Sequence, residues 1–63
     1  MILAFAGMAL YMLSLSHELN GVLPRALECA REALHIWKTS LPPGHENVAN
    51  TMSLVRHLEQ ATR

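Results

Sequence analysis

Four histidines are the side chains of this 63-residue sequence best suited to metal chemistry. They are His17, His35, His45 and His57. Imidazole nitrogens bind zinc, but zinc sites usually bring their ligands together in close pairs such as C-x2-C or H-x3-H. No two of these histidines lie within five positions of each other. The spacing therefore predicts no metal site, and we expect no cofactor of any other kind.

A single cysteine, Cys29, is the only thiol in the sequence. A nucleophilic cysteine needs a neighbouring base and a lowered pKa. Cys29 falls in the middle of a predicted helix, far from the positive N-terminal end, and its neighbour is the carboxylate of Glu28. A lone cysteine in such a place usually packs as a small apolar residue.

Two His-Glu pairs resemble the start of the H-E-x-x-H metalloprotease motif. The second histidine is missing from both, because Gly21 and Ala49 stand where it would follow His17-Glu18 and His45-Glu46. The sequence also lacks a glycine-rich phosphate loop. With no nucleophile, base or metal in a recognisable pattern, we predict that the protein is not an enzyme.

Proline and glycine divide the chain into segments with helical periodicity. The predicted helices span residues of about 3–19, 23–40 and 46–61. Gly21 suits the left-handed conformation that often follows a helix, and Pro24 suits the first turn of the next one. The second segment repeats apolar residues at steps of three and four, which predicts one buried face. That face holds Leu23, Ala26, Leu27, Ala30, Ala33, Leu34 and Trp37.

The stretch SLPPGHENVA, residues 40–49, joins the second and third segments. Pro42 and Pro43 cannot continue a helix, and Gly44 permits a sharp return of the chain. Glu46 then lies in the first turn of the third helix, where a carboxylate is favoured by the helix dipole. The predicted fold is therefore all-α, an antiparallel helical hairpin followed by a third helix.

The length and charge of the chain restrict the size of its core and the kinds of partner it can bind. A chain of about 60 residues buries only about 60% of its unfolded surface, so we expect one small domain with a thin core. The net charge is zero and the five basic residues are dispersed, which argues against nucleic acid as a partner. With one cysteine no internal disulfide can form, which favours a reducing compartment, and we predict a cytoplasmic protein.

Residues 1–16, MILAFAGMALYMLSLS, carry no charge. A signal peptide would have a basic start, but residues 1–7 contain neither Lys nor Arg. A membrane-spanning helix needs about 20 apolar residues, and His17 and Glu18 end this run earlier. A buried helix is the favoured interpretation, and a short membrane-associated protein anchored by residues 1–16 is the alternative.

The third segment repeats the apolar pattern of the first at a distance of 42 residues, from Ala6 to Val48. The same shift pairs Leu10 with Met52 and Leu13 with Val55. Periods between about 20 and 50 residues are typical of stacked helical arrays.

The pattern resembles the tetratricopeptide repeat, with its W-x2-L-G-x2-Y and A-x3-F signatures. The corresponding positions hold Leu10, Leu13, Ser14 and His17, then Ala26, Ala30 and Ala33. The run NGVLPRALECAREALHIWKTSLPPGHENVANT is similar to the long repeats of kinesin light chains, over about half of the chain. Matching positions are Gly21, Ala26, Ala33, Leu34, Ile36, Leu41, Pro43, His45, Val48, Ala49 and Thr51.

The resemblance implies one helical pair plus the first helix of a second repeat, as in a fragment or terminal part of an α-solenoid. It implies a scaffold or protein–protein interaction module with a protein or peptide partner. Self-association and stacking on neighbouring repeats stay open as further contacts. A truncated product without a function of its own is another alternative. The residues that it places toward the concave face are Tyr11, Leu15, Glu18 and Leu19, with Asn50, Ser53, His57 and Gln60. Burial of the apolar ones against a neighbouring repeat is the competing interpretation.

Some positions depart from the repeat. His17 and Ala30 replace the two aromatic residues that normally wedge between the helices. The resemblance therefore implies loose packing unless Trp37, Phe5 or Met12 compensates. The asparagines that line the groove of kinesin-type repeats are also replaced, by Tyr11, Met12, Ser53 and Leu54.

Overall fold

A computed structural model describes the backbone of residues 2–63 and the side chains of residues 5–63. Three helices make up most of it: α1 (Ile2–Leu19), α2 (Leu23–Ser40) and α3 (Glu46–Ala61). The prediction of an all-α fold with three helices is confirmed. The predicted bounds differ from the observed ones at one place only, because α1 already includes Ile2.

The turn between α1 and α2 is built around Gly21, whose φ is 76°. The N–H of Gly21 donates to the carbonyl of Glu18 at 3.0 Å, and the N–H of Val22 donates to that of His17 at 2.9 Å. This pair of bonds is the Schellman motif, which satisfies carbonyls left free at a helix end. Pro24 occupies the first turn of α2, where its missing N–H costs nothing.

The turn between α2 and α3 begins at Leu41, whose N–H still donates to the carbonyl of Trp37 at 2.9 Å. Leu41 is extended, and Gly44 has a φ of 82°, so the chain reverses there as expected. His45 caps α3 because its Nδ1 accepts a hydrogen bond of 3.1 Å from the backbone N–H of Asn47. Histidine thus takes the place of the Ser, Thr, Asp or Asn that usually caps a helix.

Helix α2 packs against both other helices. Its apolar face contains small residues that let the neighbouring helices approach, and the most buried of them are Ala26, Ala30 and Ala33. Ala26 and Ala30 form the core together with Val55 and Leu58 of α3. Partly buried leucines surround this core; they are Leu23, Leu27, Leu34 and Leu54.

Contact between α1 and α2 depends on two small residues of α1. Ser14 is fully buried, and its hydroxyl donates a hydrogen bond of 2.7 Å to the carbonyl of Ala26. Gly7 lies against the indole ring of Trp37: a Cβ on Gly7 would be 3.0 Å from the nearest ring atom. Of the three residues named above as compensating for the missing aromatics, Trp37 is buried while Phe5 and Met12 are exposed.

Candidate functional site

A groove lies between α1 and α3, and Trp37 of α2 also lines it. It contains a cavity of about 120 Å³. The residues around this cavity are Met8 and Tyr11 of α1, Trp37 of α2, and Asn47, Asn50 and Thr51 of α3. No residue with a formal charge is among them, so the cavity combines apolar surface with neutral hydrogen-bonding groups.

The α3 side of the groove is held by local hydrogen bonds. Thr51 is fully buried, and its hydroxyl donates to the carbonyl of Asn47 at 2.7 Å. The backbone N–H of Asn47 is itself bonded to His45, so the start of the helix is fixed. Asn50 is exposed, which leaves its amide accessible. A side-chain amide both donates and accepts hydrogen bonds, as is needed to bind a peptide backbone.

Trp37 carries an unusual feature. Its ring is buried, and within residues 5–63 its Nε1 donor has no hydrogen-bond partner. A buried donor without an acceptor destabilises a folded protein by about 1–3 kcal/mol. Hydrogen bonding of buried groups is therefore less complete beside the groove than in the rest of the described core.

The structure brings four of the eight residues that the resemblance places in a binding surface together as two separate pairs. Tyr11 and Asn50 both line the cavity. Outside the cavity, the carboxylate of Glu18 and Nε2 of His57 are 2.8 Å apart, which joins the end of α1 to α3. Each pair therefore combines one residue of α1 with one residue of α3.

The other four predicted residues, like Glu18 and His57, are not among those that surround the cavity. Leu15 is half-buried, whereas Leu19, Ser53 and Gln60 are exposed. Leu19 in particular lies almost fully in solvent at the end of α1. Their role in binding a partner stays a prediction.

Four cavity residues were not predicted as site residues: Met8, Trp37, Asn47 and Thr51. Met8 and Asn47 each stand three positions before a predicted residue, so helical spacing could have indicated them. Trp37 was assigned to the apolar face of α2, and its place beside the groove depends on how the three helices pack.

The asparagines of the groove do not occupy the positions implied by kinesin-type repeats. At those positions, Met12 is exposed and Leu54 packs against the core. Asn47 and Asn50, which lie earlier in α3, line the cavity instead. Amide groups are thus present in the groove, although at a different register.

Cys29 is half-buried on α2. Burial raises the pKa of its thiol, the carboxylates of Glu32 and Glu28 raise that pKa further, and Arg25 lowers it. A raised pKa leaves less of the nucleophilic thiolate at neutral pH. Within the described part of the chain, no three His, Cys, Asp or Glu side chains are grouped so that they could hold a metal ion.

The alternative of a membrane anchor concerns α1. Among the residues that the structure describes, no helix has the length and apolar character needed to cross a membrane. Met1, with which the predicted anchor begins, lies outside the described residues.

We compared the chain with protein-family models, with curated proteins and with solved structures, and none of them matches it.

Proposed function

We propose that the protein is a protein–protein interaction module of the tetratricopeptide type, which binds an extended segment of a partner protein in the groove between α1 and α3. The observation that carries this proposal is the uncharged cavity beside Trp37, with apolar surface and the exposed amide of Asn50 in one place. The similarity of residues 20–51 to kinesin-type repeats supports it independently.

The size of the cavity favours a peptide over a free small molecule. Pockets for drug-sized ligands enclose about 300–1,000 Å³. The cavity here, about 120 Å³, is large enough for one apolar side chain. A partner segment would insert such a side chain next to Met8 and Trp37 and form backbone hydrogen bonds with the amide of Asn50.

The electrostatics of the groove restrict the partner. The cavity has no charged lining residue, and the carboxylate of Glu18 is already in hydrogen-bonding contact with Nε2 of His57. A charged residue entering the cavity would lose hydration without gaining a partner, which is unfavourable. The segment bound there should therefore be uncharged at its central residue.

The proposal includes a cytoplasmic location, which rests on a single cysteine that has no internal disulfide partner. It also includes a place as a fragment or terminal part of an array of similar repeats, because units of this type bury their apolar faces against neighbours. Catalysis forms no part of it.

Selection of phage-displayed seven-residue peptides against the protein tests the proposal. Trp37 is the only tryptophan, so the fluorescence of the protein reports on the groove when the peptides lack tryptophan. We expect selected peptides to carry an uncharged, apolar central residue and to change the emission of Trp37. Asn50→Ala should weaken their binding by roughly 10-fold, the effect of losing about one hydrogen bond.

His35→Ala is the matched control, since His35 is exposed on α2 and is not among the cavity residues. It should leave the affinity unchanged. Peptides that bind equally well to both variants without changing Trp37 fluorescence would overturn the proposal. A failure to select any peptide would do the same.

A further inference from the structure

The side of α1 that is turned away from α2 is apolar and exposed. We call it the outer face of α1; it consists of Phe5, Ala9, Met12, Leu13, Ser16 and Leu19. The exposed fractions of its four large residues are 75% for Phe5, 61% for Met12, 46% for Leu13 and 88% for Leu19. Their combined exposed area is on the order of 500 Å², in the range of the largest apolar patch on a typical monomer.

Residue sizes along this face follow a symmetric order. Phe5, Met12 and Leu19 are seven residues apart and lie along one side of the helix. The small residues Ala9 and Ser16 stand between them. Read in either direction along α1, the order is large, small, large, small, large.

Such an order fits a second copy of the same helix running antiparallel. With Met12 at the two-fold axis, Phe5 of each copy would lie opposite Leu19 of the other. The small residues Ala9 and Ser16 would let the two helix backbones approach closely. A two-fold interface uses the same patch on both subunits, so the patch must be complementary to itself.

Charge on α1 is compatible with this arrangement. Residues 1–16 contain no charged side chain, so no like charges would meet in the interface. His17 and Glu18 are half-buried on the other side of α1, where Glu18 is already paired with His57 of α3. We propose that two copies of the protein associate through the outer faces of their α1 helices, antiparallel and centred on Met12.

The area is sufficient for a weak dimer. Covering the outer faces of two copies would bury roughly 1,000 Å² in total, the lower limit for a specific interface. Interfaces of that size are usually in the micromolar range of affinity. The association is independent of the groove between α1 and α3, which lies on another side of α1 and supports the proposed function.

A lipid surface is the competing occupant, and the sequence argues against it. Helices that lie in a membrane interface carry Lys and Arg on their polar face, which attract anionic lipids. The first basic residue of this chain other than histidine is Arg25, in α2. The outer face of α1 therefore lacks the electrostatic part of membrane binding.

Sedimentation equilibrium of the whole chain, over about 5–500 µM, tests the dimer. We expect a monomer–dimer equilibrium with a Kd of roughly 10–100 µM. Met12→Glu would place two carboxylates against each other at the axis and should raise that Kd at least about 100-fold, because close like charges cost several kcal/mol. Met52→Glu, the same change at an exposed methionine of α3, is the control and should change it less than about 3-fold.

A second pair of variants keeps the test valid if Met12→Glu unfolds the protein. With Cys29→Ala as background, Met12→Cys should give a covalent dimer with a short bismaleimide cross-linker, and Ser53→Cys should not. Equal cross-linking of both variants would overturn the proposal. So would a wild-type protein that stays monomeric at 500 µM. If that monomer also binds vesicles of phosphatidylcholine and phosphatidylserine, a lipid surface is the occupant instead.

Discussion

Gly7 decides how closely α1 can approach α2. A Cβ at position 7 would lie 3.0 Å from the nearest atom of the Trp37 ring, which is tighter than ordinary packing. Glycine is otherwise unfavourable inside a helix, by about 1 kcal/mol relative to alanine. Its presence in the apolar sequence of α1 is explained by this contact.

Gly7→Ala should therefore destabilise the protein, although alanine is the better helix former. The added Cβ would be 3.0–3.1 Å from three atoms of a buried ring, which is closer than normal packing allows. Overpacking of a core costs about 1–3 kcal/mol, so after the helix gain we expect a net loss of about 1 kcal/mol. In a thermal melt this is a decrease in Tm of about 4–8 °C.

Ala9→Gly is the control for this prediction, because Ala9 is exposed on the same helix. It measures the helix preference alone, and we expect it to lower stability by about 1 kcal/mol. If Gly7→Ala instead raised Tm by as much as Ala9→Gly lowers it, Trp37 would not lie against Gly7.

At the scale of the elements, the helix ends follow from local chemistry that the sequence displays. Glycine adopts a positive φ without steric cost, and proline cannot continue a helix, so both residue types indicate turns. Gly21 and Gly44 do have a positive φ. The N-cap of α3 was harder to predict. The sequence places His45 in the stretch that joins α2 and α3, and its capping bond depends on the orientation of the ring toward Asn47.

The capping role of His45 can be tested by two substitutions. His45→Ala removes the acceptor for the N–H of Asn47 and should destabilise the protein by about 1 kcal/mol. His45→Asp supplies another acceptor and a negative charge at the N-terminus of the helix, so it should be at least as stable as the wild type. Urea denaturation monitored by circular dichroism measures both.

His35→Ala serves again as the control, since His35 is exposed and its ring has no hydrogen-bond partner in the described part of the chain. It should change the free energy of unfolding by less than about 0.5 kcal/mol. Equal effects of His45→Ala and His45→Asp would mean that the ring does not cap α3.

At the scale of the whole molecule, the sequence predicted the elements better than their arrangement. Helical spacing and the residues of the turns determine three helices and the buried face of α2. The site depends on how α1 and α3 are rotated about their axes as they pack on α2. The family resemblance predicts Tyr11 and Asn50 as site residues, whereas the place of Trp37 beside the groove depends on that rotation.

The pair of Glu18 and His57 reports on the position of α3 beside α1. Their side chains are 28% and 62% exposed, so the interaction should be weak. We expect a double-mutant cycle with Glu18→Gln and His57→Asn to give a coupling of about 0.2–1 kcal/mol at low salt.

In 1 M NaCl the coupling should largely disappear, because exposed charges are screened. The ion pair of Arg31 with Glu59, 2.9 Å apart, joins α2 to α3 and provides a comparison of similar exposure. Coupling for that pair together with none for Glu18 and His57 would show that α3 does not lie beside α1 as described.

The most direct test of the proposed function is an NMR titration of the ¹⁵N-labelled protein with a selected peptide. The protein gives a single indole N–H signal, from Trp37, and separate side-chain amide signals from Asn47 and Asn50. We predict that the peptide shifts these three signals, while the backbone signals of Ala9 and Ser16 on the outer face of α1 stay in place. Shifts confined to the outer face, with the Trp37 and asparagine signals unchanged, would contradict the assignment of the groove as the binding site.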